Sequence, residues 1–529
     1  MRYCWFYLVI CFPSKMPKTP RRKQTLRAQR SQRTKDEWHE NLETDGSGRP
    51  TSITTNTETP TESSHSTQLQ KFLSWAKRNG IVLNDKVICC DEAGGVSANY
   101  GMMAADDIKK GENIFILPRP AALTPHNSAI AEFIQQNEDS LRSNSGWLPL
   151  ILALMYERLN PESKWREYLD TFPNFHDMEL PMFWPLSELD SELSGTGMVH
   201  SVATDIQNMR KEFEEVLLPV IERNPEIFRH EKFRDFQFAK QTSAFIMAYS
   251  FTDDITSNQD DEDDSDDEAD SAPSTIMVPM ADLLNHVPDH NAELNVGEAT
   301  FRMIAVKDIR KGEEIYNTYG KISNYTLLLM YGFCVKPLSN PYNTTELRLP
   351  ALRQACEQTG FPDAALRFDW LDKKLATECA DYDGTMSAEV KNYINRQSIC
   401  LHVSGLCDSS SILKSILKVL RMDREELEAK LAALNARDAA GDAADSDEDE
   451  EWLSDDEEDF DISKDKLSNM DSVTKVMLSK VADIMLDELS SPSGADESKL
   501  TRKQLYSKYV RDGQILQLKN LKQWLTWYD

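Results

Sequence analysis

Four short pieces of this 529-residue chain carry side chains that could do chemistry: Ala98-Asn99-Tyr100-Gly101, Tyr249-Ser250, Asn285-His286 and Asn317-Thr318-Tyr319-Gly320. Asn285-His286 sits in the mostly apolar stretch "MVPMADLLNHVPDHNAEL" (277–294), where Pro288 closes off any helix two residues later. Burying an Asn and a His there is costly unless their polar atoms find partners, inside the fold or on something bound. His286 and His290 form an H-x-x-x-H pair, which on a helix would suggest zinc. Pro288 breaks that helix and no Glu stands beside the first His, so no metal is expected. "GGVSANYG" (94–101) lacks the strand-loop-helix setting of a phosphate-cradling loop. Taken alone, Tyr319 reads as an ordinary core or strand tyrosine.

The elements that must position these pieces can be read from periodicity. Order begins near Gln68, with Leu69, Phe72, Leu73 and Ala76 on one helical face and Gly80 as a stop. Short apolar runs separated by Gly-containing turns follow, the pattern of strands and hairpins. "AADDIKKGENI" (104–114) reappears as "AVKDIRKGEEI" (305–315), 201 residues later, too far apart to be a solenoid period. The pair reads as similar hairpins in the two halves of one β domain. Between the halves lies a helical insertion that includes "GWLPLILALMYERL", "WREYLDTFP" and "RHEKFRDFQFAKQTSAFIMAYSF". After Tyr319 comes a short apolar helix over Tyr325–Met330, with Ser323 as N-cap and Gly332 as its end. From about Lys336 the segments read as mainly helical, "SAEVKNYINRQSICLHVSG" among them.

Composition limits the function classes. The net charge is -29, but Asp253–Asp270 holds 11 acidic residues and Asp442–Asp461 holds 13, with no basic residue in either. The rest of the chain is nearly balanced, and the two tracts read as solvated loops. Steering of a basic substrate is the functional alternative for them. The nine cysteines are odd in number and contain no C-x-x-C, which argues against a disulfide framework or zinc cluster and fits a reducing compartment. Tyr3–Phe12 is an apolar run of ten, too short to span a bilayer and without an A-x-A-like cleavage site. We read it as an extension upstream of a natural start at Met16. Lys15–Lys35 has nine Lys/Arg and no acid, which suits a nuclear-localisation or nucleic-acid-contacting arm as well as a plain basic tail.

In combination and order, these features closely resemble the SET-domain lysine methyltransferases, in the branch of the Rubisco large-subunit and fungal ribosomal lysine methyltransferases. The resemblance covers roughly residues 68 to 529. It rests most on "YGMMAADDIKKGE", "SGWLPLILALMYE", "PMFWP", "MAYSF", "VPMADLLNHVPDHNAEL" and "NTYGKISNYTLLLMYGF". Within that branch the chain resembles the ribosomal lysine N-methyltransferase 4 type. It implies an α+β chain: a linker region to residue 66, a SET β-fold over 67–340 with a pseudoknot, a helical insertion at about 120–250 and an acidic loop at 253–274. An all-α substrate-binding domain over 341–529, with an acidic loop at 436–466, completes it.

By the same resemblance the cofactor is S-adenosylmethionine, held by Ala98, Asn99, Tyr100, Tyr249, Asn285, His286 and Tyr331. Many family members carry an acidic residue and a Gly where this chain has Ala98 and Asn99, so contacts there should come from backbone. Tyr319 is the catalytic candidate, and Trp147, Ser250 and Asp282 match positions lining the peptide site. Free lysine has a pKa of about 10.4, so roughly one molecule in ~2,000 is neutral at pH 7. A dry aromatic channel beside a cationic sulfonium favours that neutral form. The expected partner is a basic large-subunit ribosomal protein, with no stable nucleic-acid or membrane binding, in a monomer of the nucleus or cytoplasm. The alternatives are a nuclear protein target, or an idle SET scaffold that binds partners.

Overall fold

The computed structural model describes residues 62–91, 100–143, 145–253, 274–378, 396–401, 407–409, 419–440, 471–489 and 496–526. The basic N-terminal run, most of both acidic tracts, and Ala98 and Asn99 lie outside the described residues. Helix α1 (Glu62–Arg78) buries Leu69, Phe72 and Ala76 of the expected face and Trp75 besides, with Leu73 half-buried.

Three antiparallel sheets follow. One has the order β1 (Val82–Leu83), β4 (Asn113–Pro118), β8 (Thr300–Ala305), β7 (Ala292–Val296). A second runs β2 (Val87–Asp91), β3 (Tyr100–Ala104), β9 (Glu314–Ile315), and the third is the hairpin β5 (Ser250–Asp253) and β6 (Ser274–Met277). Strands from before and after the insertion are thus neighbours in both larger sheets, so the β domain closes only once the chain has returned.

The repeated turns meet each other. Ile108 and Ile309 exchange backbone hydrogen bonds of 2.8 and 2.9 Å. Lys110 N–H donates to Asp308 Oδ1 and Lys311 N–H to Asp107 Oδ1, both at 2.9 Å. Gly111 donates to Ala305 and Gly312 to Ala104. Each contact in one turn has its counterpart 201 residues along, a local two-fold relation that explains why the motif occurs twice. Gly111 and Gly312 adopt φ of +90° and +85°, conformations that a side chain disfavours.

In the insertion, α2 (Leu148–Leu159) and α3 (Arg166–Leu169) precede α4 (Met198–Glu212) and α5 (Phe236–Tyr249). The last helix starts at Phe236, inside the amphipathic segment, because the Asp235 side chain accepts from Gln237 N–H and caps it there. Tyr168 of α3 packs on Phe72 and Trp75, tying the insertion to α1. Helix α6 (Asn324–Tyr331) carries the expected Ser323 cap, which accepts from Thr326 N–H, and ends at Gly332 with φ +75°.

The C-terminal part is helical, including α7 (Leu349–Thr359), α8 (Ser472–Leu489) and α9 (Arg502–Thr526). It also holds a small antiparallel sheet of β10 (Thr345–Arg348), β11 (Arg396–Leu401) and β12 (Cys407–Ser409). The helical reading of 387–405 therefore gives way to a strand over 396–401, whose pairing with β10 and β12 outweighs local propensity. Two apolar cores result. Helix α9 serves both, with Tyr506, Tyr509 and Val510 in the first and Leu518, Leu521, Trp524 and Leu525 in the second.

Candidate functional site

The segment after β6 and the segment after β9 run side by side. Asn317 N–H donates to the Asn285 carbonyl at 2.9 Å, and His286 and Asn317 form a parallel bridge. His286 is 4% exposed, and its Nδ1 accepts from Tyr319 N–H at 3.0 Å. Its ring stacks on that of Tyr319 with centroids 5.1 Å apart. Asn285 Nδ2 donates to Glu314 Oε1 at 2.8 Å and reaches the Tyr100 carbonyl at 3.4 Å. Asn285 Nδ2 and His286 Nδ1 are thus taken up within the fold, where they splice the two segments together, while His286 Nε2 is buried without a hydrogen-bond partner.

Beside this splice lies a cleft enclosing about 1040 Å³, part of it open to solvent. Tyr100 of β3 and Tyr249 at the end of α5 line it, together with Asp282, Asn285, His286, Tyr319 and Tyr331. Seven of the residues singled out in the sequence therefore converge on one cavity. Two do not line it. Trp147 borders a separate, smaller cavity with Glu212, Phe236 and Lys240, and Ser250 is the C-cap of α5, directed by backbone pairing with Met277 into the β5–β6 hairpin. Among the described residues, no cluster of His, Cys, Asp or Glu is placed to hold a metal ion.

Tyr319 is held at three points. Its backbone is fixed by His286, its hydroxyl donates to the Leu284 carbonyl at 2.8 Å, and its ring lies 4.7 Å from Tyr331 and 6.2 Å, edge-on, from Phe333. Burial, with Tyr249 and Asp282 nearby, pushes its phenol far above the usual range, so it stays protonated. Burial likewise holds His286 down at about pKa 4, helped by His290 and opposed by the Asn317 backbone. Asp282 is pushed up to about 7 by burial, against the Tyr168 hydrogen bond and the nearby backbone N–H groups of Asp282 and Met280.

Sequence reasoning missed Glu314, Tyr168 and Phe172. Glu314 is 8% exposed, lines the cleft, and accepts from both Asn285 and Tyr316 Oη (2.7 Å). The repeated K-G-E turn drew attention to the hairpin and not to the second Glu behind it. Tyr168 Oη donates to Asp282 Oδ2 at 2.6 Å, and Phe172 stacks on Tyr249 at 5.7 Å. "WREYLDTFP" offered only a helical spacing, with nothing to mark the tyrosine as polar machinery.

A SET domain family model matches residues 99–320. N-lysine methyltransferase SETD6 of Homo sapiens is 30% identical over 475 residues, covering 85% of this chain and 92% of that protein. The chain belongs to the SET-domain N-lysine methyltransferases. Within this family, N-lysine methyltransferase SETD6 of Mus musculus is 33% identical over 342 residues, 64% of this chain and 69% of that protein. The Salmo salar setd6 is 38% identical over 299 residues, but that match spans only 64% of its length and 56% of this chain. Among solved structures, the SET domain of LSMT bound to lysine and AdoHcy superimposes with a TM-score of 0.57 at 17% identity, covering 87% of this chain and 91% of that one. Rubisco LSMT bound to AdoMet gives 0.55. The SET fold accounts for the side-by-side Asn-His and Tyr segments that frame the cleft.

Proposed function

We propose that this SET-domain protein is an S-adenosylmethionine-dependent protein-lysine N-methyltransferase, with Tyr319 as its catalytic residue. The observation that carries this is the fixing of Tyr319 at backbone, hydroxyl and ring inside a cleft rimmed by aromatic side chains. The cleft suits the cofactor chemically. Tyr100, Tyr249, Tyr331 and Phe333 line it, and ring faces attract a desolvated cation. The carboxylates of Asp282 and Glu314 line the same space. Tyr100, Tyr249, Asn285, His286 and Tyr331 would hold the cofactor, with Ala98 and Asn99 just ahead of Tyr100. When bound, S-adenosylmethionine supplies an electrophilic methyl group on a cationic sulfur.

The chain's own residues then have defined tasks. Tyr319 remains a neutral phenol, because burial disfavours its anion. It orients an incoming amine and does not abstract its proton. Its hydroxyl and the Leu284 carbonyl form one polar spot on an aromatic wall, and holding an amine there can lower the barrier by several kcal/mol. Trp147, Ser250 and Asp282 remain the candidates for contacts to the protein substrate, with only Asp282 lining the cleft.

The target is proposed to be a basic large-subunit ribosomal protein, as the ribosomal lysine N-methyltransferase 4 resemblance suggests. A nuclear protein is the second reading. The named relatives are SETD6 proteins, and the Lys15–Lys35 run supports a nuclear location. Labelled methyl transfer into ribosomal and nuclear extracts, each with wild type and Tyr319→Phe, separates these targets. Failure of the wild type to bind S-adenosylmethionine by titration calorimetry would leave only a binding scaffold.

A further inference from the structure

The methyltransferase reading leaves one chemical requirement without an agent. Lysine arrives as an ammonium, and its nitrogen has no free electron pair until a proton leaves. Tyr319 cannot take that proton, and neither can His286: its acceptor nitrogen Nδ1 is occupied by Tyr319 N–H, so the unpartnered Nε2 carries the ring hydrogen. Among the described residues lining the cleft, the other proton acceptors are three carboxylates. Glu314 is engaged at both oxygens, by Asn285 and Tyr316. Asp177 is exposed on the loop after α3. Asp282 differs from both: Oδ2 accepts from Tyr168 at 2.6 Å, while Oδ1 is buried and has no hydrogen-bond partner of ordinary geometry.

We propose that Asp282 is the proton acceptor for the substrate lysine ammonium, and that Tyr168 is a positioning residue that holds its carboxylate in place. This rests on the methyltransferase reading above. In the step, one N–H bond of the ammonium breaks and an O–H bond forms on Asp282. The nitrogen keeps the electron pair, and an ion pair becomes a neutral amine beside a neutral carboxylic acid. A dry site favours that exchange, because desolvation penalises both charges at once. The proton returns to solvent when product leaves.

The surroundings of Asp282 fit the task. Three phenols face it from three elements: Tyr168 of α3, Tyr249 of α5 and Tyr319 after β9. No cation is among the groups that bear on its charge. An acceptor works best when its pKa lies near the working pH, and burial brings Asp282 to about 7 while the Tyr168 hydrogen bond restrains it from rising further. Tyr168 is itself locked, packed between Phe72, Trp75 and Phe172. Met280, two residues before Asp282, is held at φ +77°, an uncommon conformation for a residue with a side chain. The carboxylate is therefore braced from the helical insertion and from its own turn.

The test uses the full chain, S-adenosylmethionine and a lysine substrate found by the labelling experiment above. Single-turnover methyl transfer is followed from pH 6 to 9 for wild type, Asp282→Asn and Tyr168→Phe, with cofactor affinity measured in parallel. At saturating cofactor, Asp282→Asn is expected to slow transfer about 100-fold or more, the usual scale for losing a proton-transfer group. Tyr168→Phe is expected to keep activity at high pH but move the acid limb of the rate profile upward, because its missing donor no longer favours the carboxylate. An active wild type whose Asp282→Asn variant transfers methyl at a normal rate overturns this inference alone. An unmoved acid limb in Tyr168→Phe does the same, and that arm decides the matter should Asp282→Asn fail to fold. A wild type that neither binds cofactor nor transfers methyl removes the methyltransferase reading, and the inference with it.

Discussion

His286 and Asp282 sit four residues apart on one segment, and burial acts on them in opposite senses. The native histidine is held neutral, with its pKa lowered to about 4 from an unfolded value near 6.5. Its contribution is fully present above pH ~6.5 and is lost as pH falls toward 4, amounting to about 3 kcal/mol. Asp282 is raised to about 7, so the native state favours its neutral form. It contributes stability at low pH that is lost as pH rises through about 7, on the order of 4 kcal/mol. Two outcomes are expected in apo-protein thermal unfolding. His286→Gln should flatten the loss of Tm between pH 6.5 and 4.5. Asp282→Asn should unfold at a higher temperature than wild type at pH 8, with the gap narrowing as pH falls and closing only below about pH 4, under the unfolded carboxyl pKa. A higher Tm joined to lost turnover would mark Asp282 as a residue kept for function at a cost in stability. Sequence exposed half of this site. An Asn-His pair in an apolar run is conspicuous, and so is a Tyr-Gly at a strand end. A buried Tyr168 that hydrogen-bonds a residue 114 positions away leaves no local trace.

Elements were legible wherever a local rule set them. The Ser323 cap and Gly332 stop of α6 follow from side-chain chemistry alone, and so do the two Gly turns. The β10–β12 sheet was not legible, because pairing across some fifty residues decides it. Three glycines with similar backbone angles separate conformational strain from crowding. Gly111 and Gly312 have φ of +90° and +85°, and an added Cβ would meet nothing within 4 Å. Gly332 has φ +75°, and its Cβ would lie 1.7 Å from the Met178 carbonyl oxygen. Gly111→Ala and Gly312→Ala should therefore each cost only the strain of a left-handed residue, about 1–2 kcal/mol. Gly332→Ala should cost more than ~3 kcal/mol, since backbone must move to admit it. Met178 lines the cleft, so cofactor affinity should fall for Gly332→Ala alone. Equal losses in all three by urea denaturation would refute the packing of the 173–180 loop against α6.

At the scale of the whole molecule, helix α9 is the member shared by both cores. Its first half packs with the SET core and its second half with the C-terminal one, and polar contacts fasten the crossing. Arg511 donates to the Glu192 carbonyl at 2.8 Å, and Gln514 to that of Thr196 at 3.0 Å. Gly513 lies between them, and a Cβ there would come within 2.9 Å of Asn343 Cγ. Asn343 is 1% exposed; its Oδ1 accepts from Asn324 N–H at the start of α6, and its Nδ2 donates to the Pro337 and Asn340 carbonyls. It cannot yield without undoing the turn that follows α6, the helix whose last residue, Tyr331, lines the cleft. A continuous helix through two cores predicts one cooperative unfolding transition, with near-ultraviolet and far-ultraviolet signals coinciding. Gly513→Val should split it. The wedge forces α9 away from Asn343, loosens the joint and lets the C-terminal core melt first. If that core presents the protein substrate to the cleft, KM for a protein substrate should rise several-fold while cofactor affinity changes little. A single unchanged transition in Gly513→Val, with unchanged KM, would mean that α9 is a passive strut and that the two cores communicate elsewhere.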